Sequence, residues 1–229
     1  MRSSAAIANA ARTEAVADIL DAEYGPRLLR PTGDPISQLI STILSQNTSD
    51  TNTARSWKAL SLRFPDWDTM RLAPVEHIVE AIRVGGLANR KAPRIQTVLD
   101  SVHEHRGGYD LTFLKDLERQ DAMAWLTDLD GVGPKTAACV LLFSLGSPAL
   151  PVDTHVHRVA LRLGIVPPRT SPANTQRLLE TVLGDDPRRV YAFHCETIQH
   201  GRTICKARNP QCDRCPLRSH CDYGQHLLA

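Results

Sequence analysis

An all-α fold is predicted on three observations. Apolar residues recur three and four apart along most of the 229 residues, alternating apolar and polar runs are scarce, and glycine and proline gather in short loops such as GGLANRKA, DGVGPK, GSPALPVDT and VPPRTSP. The length suffices for one large domain or two small ones with ordinary cores. A hydrophobic content of 42% and a charged content of 23% are those of a soluble globular chain. No apolar run approaches the roughly 18 residues that a membrane span needs, so no membrane association is expected. The first twenty residues contain no continuous apolar stretch and already carry Glu14 and Asp18, which argues against a secretory signal. A cytoplasmic location follows as an expectation, and there six cysteines suggest metal binding or catalysis before disulfides.

The helices can be placed in order. Asp34 and Pro35 suit the cap and first turn of a helix with apolar face Ile36, Leu39, Ile40, Ile43 and Leu44. Pro74 opens another with Val75, Ile78, Val79 and Ile82, stopped by Gly85 and Gly86. Ile95, Val98, Leu99 and Val102 repeat the spacing before Gly107 and Gly108. Further helices are expected near residues 121–128, 135–145, 154–163, 173–183 and 187–199. These stripes are core and carry no functional information. Pro148 and Pro151 mark a candidate domain crossing.

Between two of those helices, LDGVGPKTA at residues 129–137 sets Gly131 and Gly133 in a compact turn. Such a turn leaves backbone N–H groups free at the start of the second helix, where the helix dipole adds to their pull on an anion. Gly131, Val132, Gly133 and Thr136 are therefore candidates for holding a DNA phosphate through the backbone, a contact that positions without reading sequence. An ordinary helix-to-helix turn explains the same pattern. Lys135 gains nothing from the dipole at this end of a helix, so it has another task. One reading is a neutral amine that attacks a sugar carbon and forms a Schiff base; the other is an exposed phosphate-binding lysine. Eighteen residues on, Asp153 in PVDTH is placed to cap the next helix, and a carboxylate there can also stabilise positive charge on a deoxyribose or assist proton transfer. His155 and His157 are weak candidates beside it.

Cys205, Cys212, Cys215 and Cys221 form C-x6-C-x2-C-x5-C. A short loop wrapping four thiolates suits a cubane iron–sulfur cluster, whereas structural zinc more often uses two separated pairs; spacing favours iron–sulfur over zinc. Cys139 and Cys195 fall within helical stripes and are explained as small buried side chains. The net charge of +2 announces no partner, but Arg188, Arg189, Arg202, Lys206, Arg208, Arg214 and Arg218 outnumber Glu196 and Asp213 in the same region. A solvated face explains that excess as well as a nucleic-acid partner does. Lys206 and Arg208 lie inside the first ligand loop, where a cluster would fix them against a phosphate backbone.

Hairpin, lysine, VDTH and the tail HGRTICKARNPQCDRCPLRSHC, together with ILSQNTSD and GGLANRKA, resemble the endonuclease III family of base-excision DNA glycosylases in the helix-hairpin-helix superfamily, over nearly the whole chain. The resemblance implies two all-α lobes. One is a six-helix barrel domain over residues 28–147 that ends in the hairpin; the other is a 4Fe-4S cluster domain from residues 1–27 and 148–229, with DNA across the cleft between them. It gives Lys135 the position of the nucleophile and Asp153 that of the essential aspartate. It also implies that the four cysteines ligate the cluster. The implied substrate is double-stranded DNA with oxidised pyrimidines or abasic sites, acted on by a monomer, nucleoid-associated if the protein is bacterial. The implied chemistry is base excision followed by β-elimination, since lysine at this position marks the bifunctional type. The family's gap-filling wedge is a glutamine, but here the register sets Asn47 at it and Gln46 one residue earlier; Leu87 matches the intercalating residue opposite. Rival readings are a mismatch or purine-lesion glycosylase of the same superfamily, and a non-catalytic iron–sulfur DNA-binding protein in which Lys135 matters only for affinity.

Overall fold

The computed structural model describes residues 4–226, and every regular element among them is helical. Residues 1–3 and 227–229 of the expected lobes lie outside the described residues. No described helix is long and apolar enough to cross a membrane. The chain divides into two compact units, one made of residues up to Arg30 with those from Pro148 onward, the other of Pro31–Ser147.

Helix α1 (Ser4–Tyr24) opens the first unit. The second begins at Pro31, three residues beyond the expected 27/28 crossing, and its hydrogen bonds explain why. The Thr32 and Gly33 N–H groups donate to Phe143 O (3.0 Å) and Ser144 O (2.9 Å), so the entering segment is pinned to the unit's own exit. Six helices follow, α2 (Pro35–Ser45), α3 (Asp50–Arg63), α5 (Val75–Ile82), α6 (Ala88–Arg106), α7 (Arg119–Asp128) and α8 (Pro134–Val140), with the short α4 (Trp67–Arg71) between α3 and α5.

Local chemistry sets their ends. Asp34 Oδ1 accepts the Ser37 N–H at 3.0 Å, and Pro35 fills the first turn where its missing N–H costs nothing. Helix α5 tightens into a single turn at Arg83–Gly85 before Gly86, and Gly107 takes the left-handed cap of α6. The α8 path widens into one π turn at Leu141–Leu145. Helix α3 was not apparent from periodicity because it buries only Ser56 and Leu60; Ser49 caps it through the Asn52 N–H at 3.3 Å. The unit's core is aliphatic, with Leu39, Ile40, Ile43, Ile78, Ile82, Ile95 and Leu99 fully buried, each worth about 1.5–3 kcal/mol in transfer from water.

In the first unit α9 (Thr154–Leu163), α10 (Pro172–Leu183), α11 (Pro187–Thr203) and α12 (Asp222–His226) follow, and α11 packs against both α1 and α9. Val16 and Leu20 of α1 and Val190 and Phe193 of α11 are buried there. Arg12 joins three elements, pairing with Asp222 at 2.8 Å and donating to Leu163 O at 3.0 Å.

Candidate catalytic hairpin and cluster site

The hairpin lies between α7 and α8. Val132 N–H closes the turn on Leu129 O at 3.0 Å, and the first helical bond of α8 runs from Ala137 N–H to Gly133 O at 3.0 Å. Gly133 is the cap residue and offers no side chain to the amides that follow it, so Lys135 and Thr136 N–H stay available to an outside acceptor. The side chains of Val132 and Thr136 are buried, which confines any contact from these two residues to the backbone. Gly131 has φ +81°, and a Cβ there would come within 2.8–2.9 Å of the Arg94 side chain; glycine is needed for both reasons. Lys135 is half-buried in the first turn of α8.

Two neighbouring turns of the same unit carry the other candidates. Asn47 and Leu87 both adopt left-handed φ, 51° and 53°, a conformation that costs a β-carbon-bearing residue roughly 1–2 kcal/mol. Asn47 is exposed, and Leu87 leaves 45% of its surface to solvent. Gln46, next to Asn47, is not free: Arg94 donates to its Oε1 at 2.9 Å. Beneath both turns sits Lys91, buried on α6, whose Nζ donates to Leu44 O at 2.7 Å and to Gly85 O at 3.0 Å. Burial holds its ammonium below the usual lysine range. Periodicity hid Lys91 and Arg94, because a basic residue on a helix is usually a solvated one.

In the first unit Asp153 caps α9, its Oδ1 accepting the N–H groups of His155 and Val156, both at 2.8 Å. One carboxylate oxygen therefore serves the fold, and Oδ2 is not needed for it. His157 Nε2 meets Thr170 O at 2.8 Å, and His155 packs beside Gly201, so both histidines have structural duties.

Cys205, Cys212, Cys215 and Cys221 line one cavity with Val159, Leu217 and His200. Burial pushes the Cys215 thiol up to about 11, and the other three cysteines push it in the same direction. A cationic centre offsets that cost, because a bound metal ion favours the thiolate over the thiol. Among the described residues no three His, Cys, Asp or Glu side chains converge closely enough for one metal ion. Four cysteines lining one cavity supply the four thiolates that a cubane takes, as their C-x6-C-x2-C-x5-C spacing leads one to expect. The surroundings suit a cluster: Gly224 N–H and Arg162 Nη1 donate to the sulfurs of Cys221 (3.3 Å) and Cys205 (3.4 Å). Arg162 also donates to Lys206 O (2.7 Å) and Ala207 O (3.0 Å), while Arg158 donates to Cys205 O (3.1 Å) and Gly201 O (2.8 Å). These two arginines, one turn apart on α9, hold the loop that exposes Lys206 and Arg208. His200 is buried with Tyr24 Oη at 2.9 Å from Nδ1 and Cys215 Sγ at 3.6 Å from Nε2, and burial pushes its pKa down to about 4. None of Arg158, Arg162 and His200 was singled out from sequence, although the two arginines at i and i+4 directly after the PVDTH loop were a readable signal.

Comparison with known proteins agrees with this geometry. Residues 40–184 match the family described as HhH-GPD superfamily base excision DNA repair protein, and residues 205–221 match the iron-sulfur binding domain of endonuclease III. Endonuclease III of Thermotoga maritima is 37% identical over 193 residues, 83% of this chain and 84% of its own. A putative DNA glycosylase of Arabidopsis thaliana is 36% identical over 189 residues, 78% of this chain; the match spans only 64% of that relative's length. Among solved structures, a trapped endonuclease III–DNA covalent intermediate superposes with a TM-score of 0.78 at 28% identity, covering 93% of this chain and 95% of that one. The chain belongs to the HhH-GPD superfamily of base-excision DNA repair proteins. Within it the chain is an endonuclease III-like DNA glycosylase, carrying that family's 4Fe-4S cluster-binding domain at its four-cysteine tail.

Proposed function

We propose that this chain is a bifunctional DNA N-glycosylase and AP lyase that excises oxidised pyrimidines from duplex DNA and cleaves the strand at the resulting site. The observation that carries the reading is Lys135 itself: an amine in the first turn of α8, two residues past a cap glycine that leaves the backbone amides uncapped. Those amides hold a phosphate, and the lysine stands beside the sugar that the phosphate belongs to. The damaged base leaves the stack at a cost of a few kcal/mol, least for a lesion already weakly paired.

Lys135, as the neutral amine, attacks C1′ of the deoxyribose and forms a C–N bond while the C1′–base bond breaks and the base departs with a proton. Ring opening gives an imine between Lys135 and C1′. Loss of a C2′ proton then expels the 3′ phosphate, and the C3′–O bond breaks by β-elimination. Asp153 stabilises the positive charge that grows on the sugar and assists proton transfer, using the oxygen that does not cap α9. The exposed, strained turns at Asn47 and Leu87 support a part for those residues in filling the space that the extruded base leaves. Cys205, Cys212, Cys215 and Cys221 hold the cluster as a clip, which fixes Lys206 and Arg208 towards the phosphate backbone.

Borohydride reduction tests the reading. Incubated with an oligonucleotide duplex carrying thymine glycol or an abasic site, the protein should be captured as a covalent adduct. Lys135→Ala should lose the adduct and retain DNA binding. A wild-type protein that forms no adduct on any of several lesions would remove the lyase assignment.

A further inference from the structure

Asp153 follows a buried segment that is not helical. Ala149, Leu150 and Val152 are buried there, and no helix takes up the backbone polar groups of these residues. Two side chains from different helices do part of that work. Glu180 of α10 accepts the Leu150 N–H on Oε1 at 2.8 Å, and the same oxygen accepts from Gln176 Nε2, one turn back on α10, at 3.0 Å. His194 of α11 is buried, with Nδ1 2.8 Å from Pro151 O. A carbonyl oxygen only accepts, so Nδ1 carries the proton. The chain is thus gripped at two consecutive residues just ahead of Asp153. Asp153 in turn holds the start of α9 through the His155 and Val156 N–H groups.

The geometry points to Glu180 and His194 as positioning residues that set the direction of the Asp153 carboxylate. Helices α10 and α11 hold the incoming chain, α9 takes one carboxylate oxygen, and the other oxygen is left at a fixed place. Glu180 and His194 act through the backbone of Leu150 and Pro151. A displacement of about 1 Å at a reacting group can cost about a hundredfold in rate, so a loose approach to that carboxylate is costly. The effect on rate rests on the role proposed above for Asp153, whereas the placement itself is measured without DNA.

Amide hydrogen exchange reads the placement. Glu180→Leu and His194→Leu each remove one anchor. In both, exchange at His155 and Val156 should quicken by about tenfold or more, while Ala160, inside α9, keeps its wild-type rate. Glu180→Gln keeps the acceptor and His194→Asn keeps a donor, and each should restore most of the protection. Single-turnover base release from a thymine glycol duplex reads the consequence. At saturating enzyme Glu180→Leu should slow release by about tenfold or more, with affinity for an uncleavable tetrahydrofuran duplex changed by less than about twofold. In an Asp153→Asn background the same substitution should slow release by less than about twofold further, because both changes act through one carboxylate. The inference is overturned if the quickened exchange is confined to Leu150 or spreads equally to Ala160. It is also overturned if Glu180→Leu slows the Asp153→Asn variant as much as it slows the wild type. If Asp153→Asn excises at the wild-type rate while the exchange pattern holds, the positioning stands and the chemical role of Asp153 falls. A wild type that releases no base removes the proposed function, and the exchange pattern alone then decides the positioning.

Discussion

Asp153 carries two duties that a single substitution can separate. Asparagine caps a helix about as well as aspartate, so Asp153→Asn should keep the two bonds to His155 and Val156 and change the thermal midpoint little. It removes the charge, so under the proposed mechanism single-turnover excision should fall by about 10²–10⁴. Asp153→Ala loses the cap too and should be less stable by about 1 kcal/mol. If Asp153→Asn excises at the wild-type rate, the residue is a cap and nothing more. At this scale the sequence was informative where a residue's placement was anomalous. A lysine at the positive end of a helix and four cysteines in a short loop stand out before any packing is known. Arg94, Lys91 and His200 do not, because each is explained only by partners far away in the chain.

Helix α6 is the element that organises the second unit's candidate surface. Its inner stripe, Ile95, Val98, Leu99 and Val102, was legible as a period-3.6 pattern, and so was its end at Gly107. Its other use, presenting Lys91 and Arg94 to two turns, was not. Lys91→Met keeps much of the side chain's bulk but strands the carbonyls of Leu44 and Gly85 without a donor. Each buried acceptor left unpaired costs about 1–3 kcal/mol, so with two of them the variant should be destabilised by about 2–6 kcal/mol in denaturant titration. A loss below 0.5 kcal/mol, within the usual range for surface changes, would show that water reaches those carbonyls. The same comparison explains α3. With Ser56 and Leu60 as its only buried residues, it has no stripe to read, and its cap at Ser49 and its packing beside α2 and α5 decide it.

At the scale of the whole molecule, a buried carboxyl in the first unit couples stability to pH. Glu196 of α11 is buried, its Oε1 has no hydrogen-bond partner, and its carboxyl is pushed up to about 7 from 4.5, first by burial and then by Asp21, with Arg27 opposing. The native state therefore keeps a proton that the unfolded chain gives up between pH 4.5 and 7. Stability contributed by this group is present below pH 4.5 and is lost as pH rises through about 7. A displacement of that size is worth on the order of 3 kcal/mol. Glu196→Gln should flatten the fall in thermal midpoint between pH 5 and pH 8; an unaltered slope would assign the dependence to other groups. What the sequence alone determined was the all-helical class, most helix positions, the cluster ligands' spacing and the anomalous lysine, because periodicity, caps and ligand spacing are local properties of a chain. Tertiary structure alone decided that the second unit begins at Pro31, that Arg158 and Arg162 hold the cluster loop, and that Arg94 engages Gln46 and leaves Asn47 exposed. Each of those depends on which distant groups meet, and no pattern of nearest neighbours encodes that meeting.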